Sequence, residues 1–225
     1  ALALPVPPLS TLYLSANGGL VIVEGHRVRA VAGNPAMALA LAASPDLGVR
    51  TLAGAPPWTN GGTFTLDGRE VAGPRAASPG LCCFLDGATD GAFNYAARQD
   101  STLLDPIGSR PLAPRELYRF ERDWSGARPL FALTQSGQYS GVAFSQRSGT
   151  FWMARNEAGE SVLEQWSREG RLISAATIES SSAGLAVDPR DGTLWVVRQM
   201  PTGDTVRLDN FDTAGRFLAH YSVPR

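Results

Sequence analysis

The chain contains no lysine. All 20 of its basic residues are arginine, set against 21 acidic ones, for a formal charge of −1 over 225 residues. So even a balance gives no general electrostatic drive toward nucleic acid or an anionic membrane surface. The missing lysine fits a genome rich in G and C, although the arginine fork also suits planar anions. Histidine is nearly absent too: His26 and His220 stand at opposite ends, neither with a neighbour at metal-ligand spacing. The only cysteines are adjacent, Cys82 and Cys83. Neighbours in a strand point to opposite faces, which excludes an ordinary disulfide between them. Two buried thiols are expected, the alternative being a strained vicinal ring that would mark a ligand site. No apolar run approaches the roughly 20 residues of a membrane-spanning helix. HExxH, CxxC, a phosphate-binding Gly-rich loop and the GxSxG elbow are all missing. No catalytic residue, metal ligand or cofactor is therefore assigned, a divalent cation being compatible with the chain but indicated by no motif.

What the chain does have is a repeat. "SGTFWMAR" (148–155) returns as "DGTLWVVR" (191–198), 43 positions on. The copies extend in both directions, with "SGVAFSQRS" matching "AGLAVDPRD" ahead of them and "SVLEQWSREGRLISAATI" matching "TVRLDNFDTAGRFLAHYSV" behind. A degraded third copy, "PGLCCFLDGATDGAFNYAARQD" (79–100), aligns if one residue is inserted. That alignment puts Tyr95 in the Trp slot, Arg98 in the Arg slot, and Cys82 and Cys83 opposite Ala143 and Phe144. A fixed period of about 40–45 residues with four short strands per unit is the signature of propeller blades.

The segments between turns support strands. Runs of Val, Leu, Phe, Trp and Thr alternate with turn dipeptides such as Asn17-Gly18, Asn60-Gly61 and Asp67-Gly68, which tolerate the positive φ of tight hairpins. Strand groups begin near Thr11, Met37, Leu81, Val142 and Leu185, and the chain length leaves no room for six full blades. The expectation is an all-β, five-bladed propeller over 11–225, preceded by a Pro-rich lead-in over 1–10, with the N-terminal segment pairing into the last blade to close the ring. "NPAMALALAAS" (34–44) reads locally as a capped helix; repeat context favours a strand. "PREL" (114–117) carries a similar helical signal. The opening "ALALPVPPLS" without Met suits a chain trimmed after signal cleavage or a shortened one, and an extracytoplasmic location is expected.

"GLAVDPRDGTLWVV" followed by "DNFDTAGRFLAHYSVP" resembles the repeat of the NHL and SMP-30/gluconolactonase-like β-propellers. The likeness is good over 140–225, partial over 79–133 and only architectural before that. It implies the propeller fold, which lactonases, lyases and receptor domains share, and so does not by itself supply a function. Gluconolactonase-like enzymes hold a divalent cation with an early acidic residue and with Asn or Asp from other blades. The early acidic residue here is Glu24, in no matching motif, so that site is not carried over. The Asp-rich turn at 188–192 reads as turn chemistry rather than a calcium loop.

Blade geometry then offers a face. Arg98, Arg155 and Arg198 each end the second strand of a unit, so they share one rim with the loops that follow, the long insertion 99–116 included. Gln138, Tyr139, Asn156 and Gln199 add amides and a phenol beside them. The sequence thus nominates these seven residues as a polar rim for a small anionic ligand or a protein partner. The competing account ties each arginine to its own loop, at a carbonyl or at an aspartate such as Asp100 or Asp204. Trp152 and Trp195, on the opposite side of the strand, read as packing between blades rather than sugar stacking. The resulting reading is a non-catalytic, extracytoplasmic binding module; the alternatives are a metal-dependent hydrolase or lactonase of the gluconolactonase-like type, and a scaffold in an envelope assembly.

Overall fold

The computed structural model describes the chain outside residues 1–10, 17–18, 25–26, 32–37, 54–59, 77–83, 99–114, 158, 179–181, 199–204 and 225. Among the described residues there is no helix, and 19 strands form five antiparallel sheets. The first sheet has three strands: β1 (Leu12–Ala16), β2 (Gly19–Glu24) and β3 (Arg27–Val31). The second holds β4 (Ala38–Ser44), β5 (Gly48–Ala53), β6 (Asn60–Phe64) and β7 (Glu70–Ala76). The third holds β8 (Phe84–Thr89), β9 (Asn94–Arg98), β10 (Glu116–Phe120) and β11 (Arg128–Ala132). The fourth runs β12 (Gln138–Ser145), β13 (Thr150–Glu157), β14 (Glu160–Trp166) and β15 (Leu172–Ile178). The fifth runs β16 (Ser182–Val187), β17 (Leu194–Arg198), β18 (Thr205–Phe211) and β19 (Phe217–Pro224). The sheets are the blades of a β-propeller. First strands pack successively about the axis, β1 on β4, β4 on β8, β8 on β12 and β12 on β16, while β19 comes back against β3.

The strand origins match the five expected groups, and 38–44 is a strand despite its local helical signal. Ala40 and Ala42 are buried on the second blade's innermost strand, where a crowded axis rewards small side chains more than helix propensity rewards alanine. Glu116 and Leu117 are likewise in a strand. Of the N-terminal segment expected to close the ring, the described part stays in its own blade. Residues 12–16 pair with β2 in their own sheet, and the last blade takes all four strands from 182–224. The apolar pattern of the C-terminal repeat supplies that blade's own fourth strand. Residues 1–10 lie outside the described set.

The register validates the repeat slots for the second strands and corrects them for one first strand. Tyr95 pairs with Ala88, Trp152 with Ala143 and Trp195 with Ala186. Ala88 and Thr89, not the two cysteines, therefore occupy the slots of Ala143 and Phe144; Cys82 and Cys83 lie outside the described residues. The cause is the hairpin: Ala88 and Tyr95 stand 7 positions apart, where Ala143 and Trp152, like Ala186 and Trp195, stand 9 apart, so the third blade's β8–β9 turn is shorter. A β-bulge recurs in β4, β8, β12 and β16, before the paired alanine. Bulges bend a strand and re-aim its side chains, and here they fall where inner strands crowd together.

Turns between third and fourth strands repeat as well. Gly68, Gly170 and Gly215 hold φ of 87°, 81° and 76°, and each donates its N–H to a carbonyl three residues earlier. In the third blade Trp124 takes this place with φ 65° and donates its N–H to the Glu121 carbonyl in the same manner. A bulky residue in the left-handed region is strained. Its burial compensates: Trp124 packs against Phe120, and its indole Nε1 donates to the Arg50 carbonyl of the second blade at 3.2 Å.

Candidate functional site

Arg155 is almost fully buried, and its neighbours explain why. Its Nε donates to Glu164 Oε1 at 2.7 Å, and its Nη1 donates to the Ser136 carbonyl at 2.7 Å and to Glu157. Glu164, itself buried, also accepts from the Tyr139 hydroxyl at 3.1 Å and from Trp166 Nε1 at 3.0 Å. Burial and the adjacent Glu164 charge push the Tyr139 phenol well above its ordinary pKa. Arg198 repeats the device with Asp209, a carboxylate that Arg207 Nε also reaches at 2.9 Å. In the third blade Arg98 donates to the Tyr118 hydroxyl at 3.2 Å, and that hydroxyl donates to Glu116 at 3.0 Å. Register makes the partners equivalent: Tyr118, Glu164 and Asp209 oppose Ala96, Met153 and Val196, each two residues before the arginine.

The structure thus brings the three arginines to one slot, and gives Arg155 and Arg198 carboxylate partners within the blade. Tyr139, expected on the rim, is instead buried beneath it in the core between the third and fourth blades. Asn156 joins the fourth and fifth blades, donating from Nδ2 to the Ser182 carbonyl at 2.8 Å and accepting from the Ser182 N–H at 3.1 Å. Gln138 is half-buried beside it in register. Gln199, Asp100, Asp204 and most of the long insertion lie outside the described residues. Sequence reasoning missed Glu164 and Asp209, yet a signal existed: in the aligned copies each stands two residues before the aromatic Trp166 or Phe211. Trp152 packs in the core between the fourth and fifth blades, and Trp195 stacks obliquely with Tyr221. The 188–192 segment closes a turn: Asp188 Oδ1 accepts from the Arg190 N–H at 2.9 Å and Asp191 Oδ1 from the Thr193 N–H at 2.8 Å.

A second feature lies on the axis. A cavity of about 210 Å³ is lined from all five blades, chiefly by Leu41, Ala43, Val142, Phe144 and Leu185, with Asp86 among them. Two residues before the paired alanine, the other four-stranded blades place Ala40, Gly141 and Gly184. The third blade places Asp86 there. Its Oδ2 accepts from the Val142 N–H at 2.9 Å and the Leu185 N–H at 3.0 Å, and its Oδ1 from its neighbour Gly87 at 2.8 Å. One carboxyl thereby ties three inner strands together. Desolvation outweighs these three bonds and pushes its pKa up to about 7. Gly87 is itself constrained, because a Cβ there would meet Trp124 Cη2 at 2.8 Å and Leu41 backbone at 2.9 Å.

No family model matches the chain, and no curated protein does. Solved structures do. A chain of a nidogen/laminin complex aligns over 94% of this chain and 92% of its own, at TM-score 0.61 and 14% identity. XC5397, a gluconolactonase from Xanthomonas campestris, aligns over 95% of this chain and 72% of its own, at TM-score 0.61 and 20% identity. A chain of Kuenenia stuttgartiensis hydrazine synthase aligns over 83% of this chain and 49% of its own, at TM-score 0.52 and 15% identity. This chain has their fold. The resemblance to NHL and SMP-30-like propellers is thus an architectural fact, and proteins this different in role share it.

The axial residues do not fit a gluconolactonase-like divalent ion. Hard cations take about six oxygen ligands, whereas Asp86 keeps one acceptor position beside its three N–H donors and otherwise faces mostly aliphatic side chains. Among the described residues no three His, Cys, Asp or Glu side chains converge.

Proposed function

We propose that this propeller is a non-catalytic binding module whose ligand enters the axial cavity. The observation that carries the reading is the substitution of Asp86 into a slot that the neighbouring blades fill with Ala or Gly. An acid set among apolar side chains costs free energy unless something compensates it, and this one is half-buried and lines a cavity instead of being sealed in a core. The rim is not the site proposed, because two of its guanidinium groups face carboxylates of their own blades. The nidogen chain, solved with laminin, is a precedent for a propeller of this shape in a protein complex; the hydrolase reading draws only on the fold of XC5397.

Ligand-observed NMR with a library of small fragments tests this. Fragments should bind the wild type and lose binding in Ala186→Leu, which fills the cavity beside β16 while the melting profile stays cooperative. If no fragment discriminates between the two proteins, the cavity is not a binding site.

A further inference from the structure

Resting on the reading of the cavity as a binding site, the free valence of Asp86 decides what class of ligand it would take. A carboxylate has about four lone-pair positions. Two on Oδ2 serve Val142 and Leu185, and one on Oδ1 serves Gly87, so one acceptor position remains. Of the other polar side chains in the lining, Thr11 is exposed and three have partners. The Tyr13 hydroxyl donates to the Leu66 carbonyl at 3.1 Å, the Thr89 hydroxyl to the Phe93 carbonyl at 2.9 Å, and Asp188 carries Arg190 at 2.9 Å. Around them stand Leu41, Ala43, Val142, Phe144 and Leu185, which accept nothing.

We propose that the axial cavity binds a small tertiary ammonium, its single N–H donating to Asp86 and its alkyl groups packing on Leu41, Val142, Phe144 and Leu185. A primary ammonium carries three donors, two more than the one acceptor position left on Asp86. A divalent cation needs about six oxygens, and among the described residues no three His, Cys, Asp or Glu side chains converge. A neutral alcohol can satisfy the acceptor but brings no charge to an acid that burial has destabilised. The volume, about 210 Å³, lies below the roughly 300–1,000 Å³ of pockets for drug-sized molecules, which favours a single small ring or a short trialkyl body.

Three probes of similar shape separate the terms, using calorimetry and NMR on the full chain at pH 8. N-methylpiperidine, protonated at that pH, supplies charge and one N–H. The N,N-dimethylpiperidinium ion supplies charge without the N–H, and 1-methylcyclohexanol supplies one O–H without the charge. The expected result is binding of N-methylpiperidinium at least about tenfold tighter than either analogue, as for a hydrogen bond to a charged group. Asp86→Asn should erase that preference while leaving the alcohol's affinity within about twofold. Equal affinities of all three for the wild type would overturn the ammonium assignment and leave an apolar cavity that binds. Binding of none would overturn both the assignment and the cavity reading beneath it. Because the wild-type comparison needs no variant, the outcome stands even if Asp86→Asn fails to fold.

Discussion

Arg155 and Glu164 face each other diagonally across β13 and β14, Nε to Oε1 at 2.7 Å, with side chains 9% and 1% exposed. Arg198 and Asp209 repeat the relationship one blade on. A pair so deeply placed need add nothing to stability compared with an apolar pair, but removing one partner strands the other charge in a region water does not reach.

Arg155→Ala is accordingly expected to lower stability by about 3–5 kcal/mol, read as a fall in the urea midpoint with little change in slope. Arg198→Ala should cost less, because Arg207 also reaches Asp209 and the Arg198 side chain is 23% exposed. Equal, near-zero effects of the two substitutions would show that the arginines are not struts.

Asp86 gives a pH dependence of defined sign. Its native pKa, about 7, lies above the ordinary carboxylate value of 3.8, so in between the native state holds a proton that the unfolded chain has released. Stability attached to this group is full below about 3.8 and is lost as pH rises toward 7. A tenfold change in proton affinity is worth about 1.4 kcal/mol, so a rise from 3.8 to about 7 should cost about 4 kcal/mol across the window. The other charged group in the cavity lining, Asp188, is paired with Arg190. Unfolding free energies of wild type and Asp86→Asn, measured from pH 4 to pH 8, should diverge across this window; parallel curves would contradict the assignment.

Inner-strand crowding can be tested with alanine. A Cβ at Gly141 would lie 2.6 Å from Leu185 Cβ and 3.0 Å from its backbone N, whereas one at Gly184 would find nothing nearer than 3.7 Å. Gly141→Ala should destabilise by about 1–3 kcal/mol through overpacking, and Gly184→Ala should fall within about 0.5 kcal/mol of wild type, as changes away from tight features do. Thermal melts of the two variants, side by side, decide it.

Trp152 is expected to hold the fourth and fifth blades together. Its truncation to Ala removes a ring from the core shared with Leu185, Leu194 and Val196, at about 3–5 kcal/mol. If Trp152 stacked a sugar instead, Trp152→Ala would leave the melting temperature in place and abolish carbohydrate retention.

The blade itself was legible in the sequence. Strand periodicity, turn dipeptides and the returning Gly-Thr-x-Trp and Gly-Arg segments are local signals, and a strand's alternation already fixes that Trp152 and Arg155 leave opposite faces. Repetition supplied the rest of the architecture, since equivalent residues in stacked blades must meet equivalent surroundings. The interpretation of the arginine slot was not legible to the same depth. Glu164 and Asp209 sit on the next strand, and choosing them over Asp100 or Asp204 requires the strand register, which a β-bulge or a turn of different length would shift. The axial site was out of reach altogether. Asp86 meets Val142 and Leu185 across 56 and 99 residues of chain, through backbone N–H groups that every residue but proline possesses and that no motif can announce. Only closing the inner strands around one axis selects those two amides, and desolvation by that same closure raises the proton affinity of Asp86.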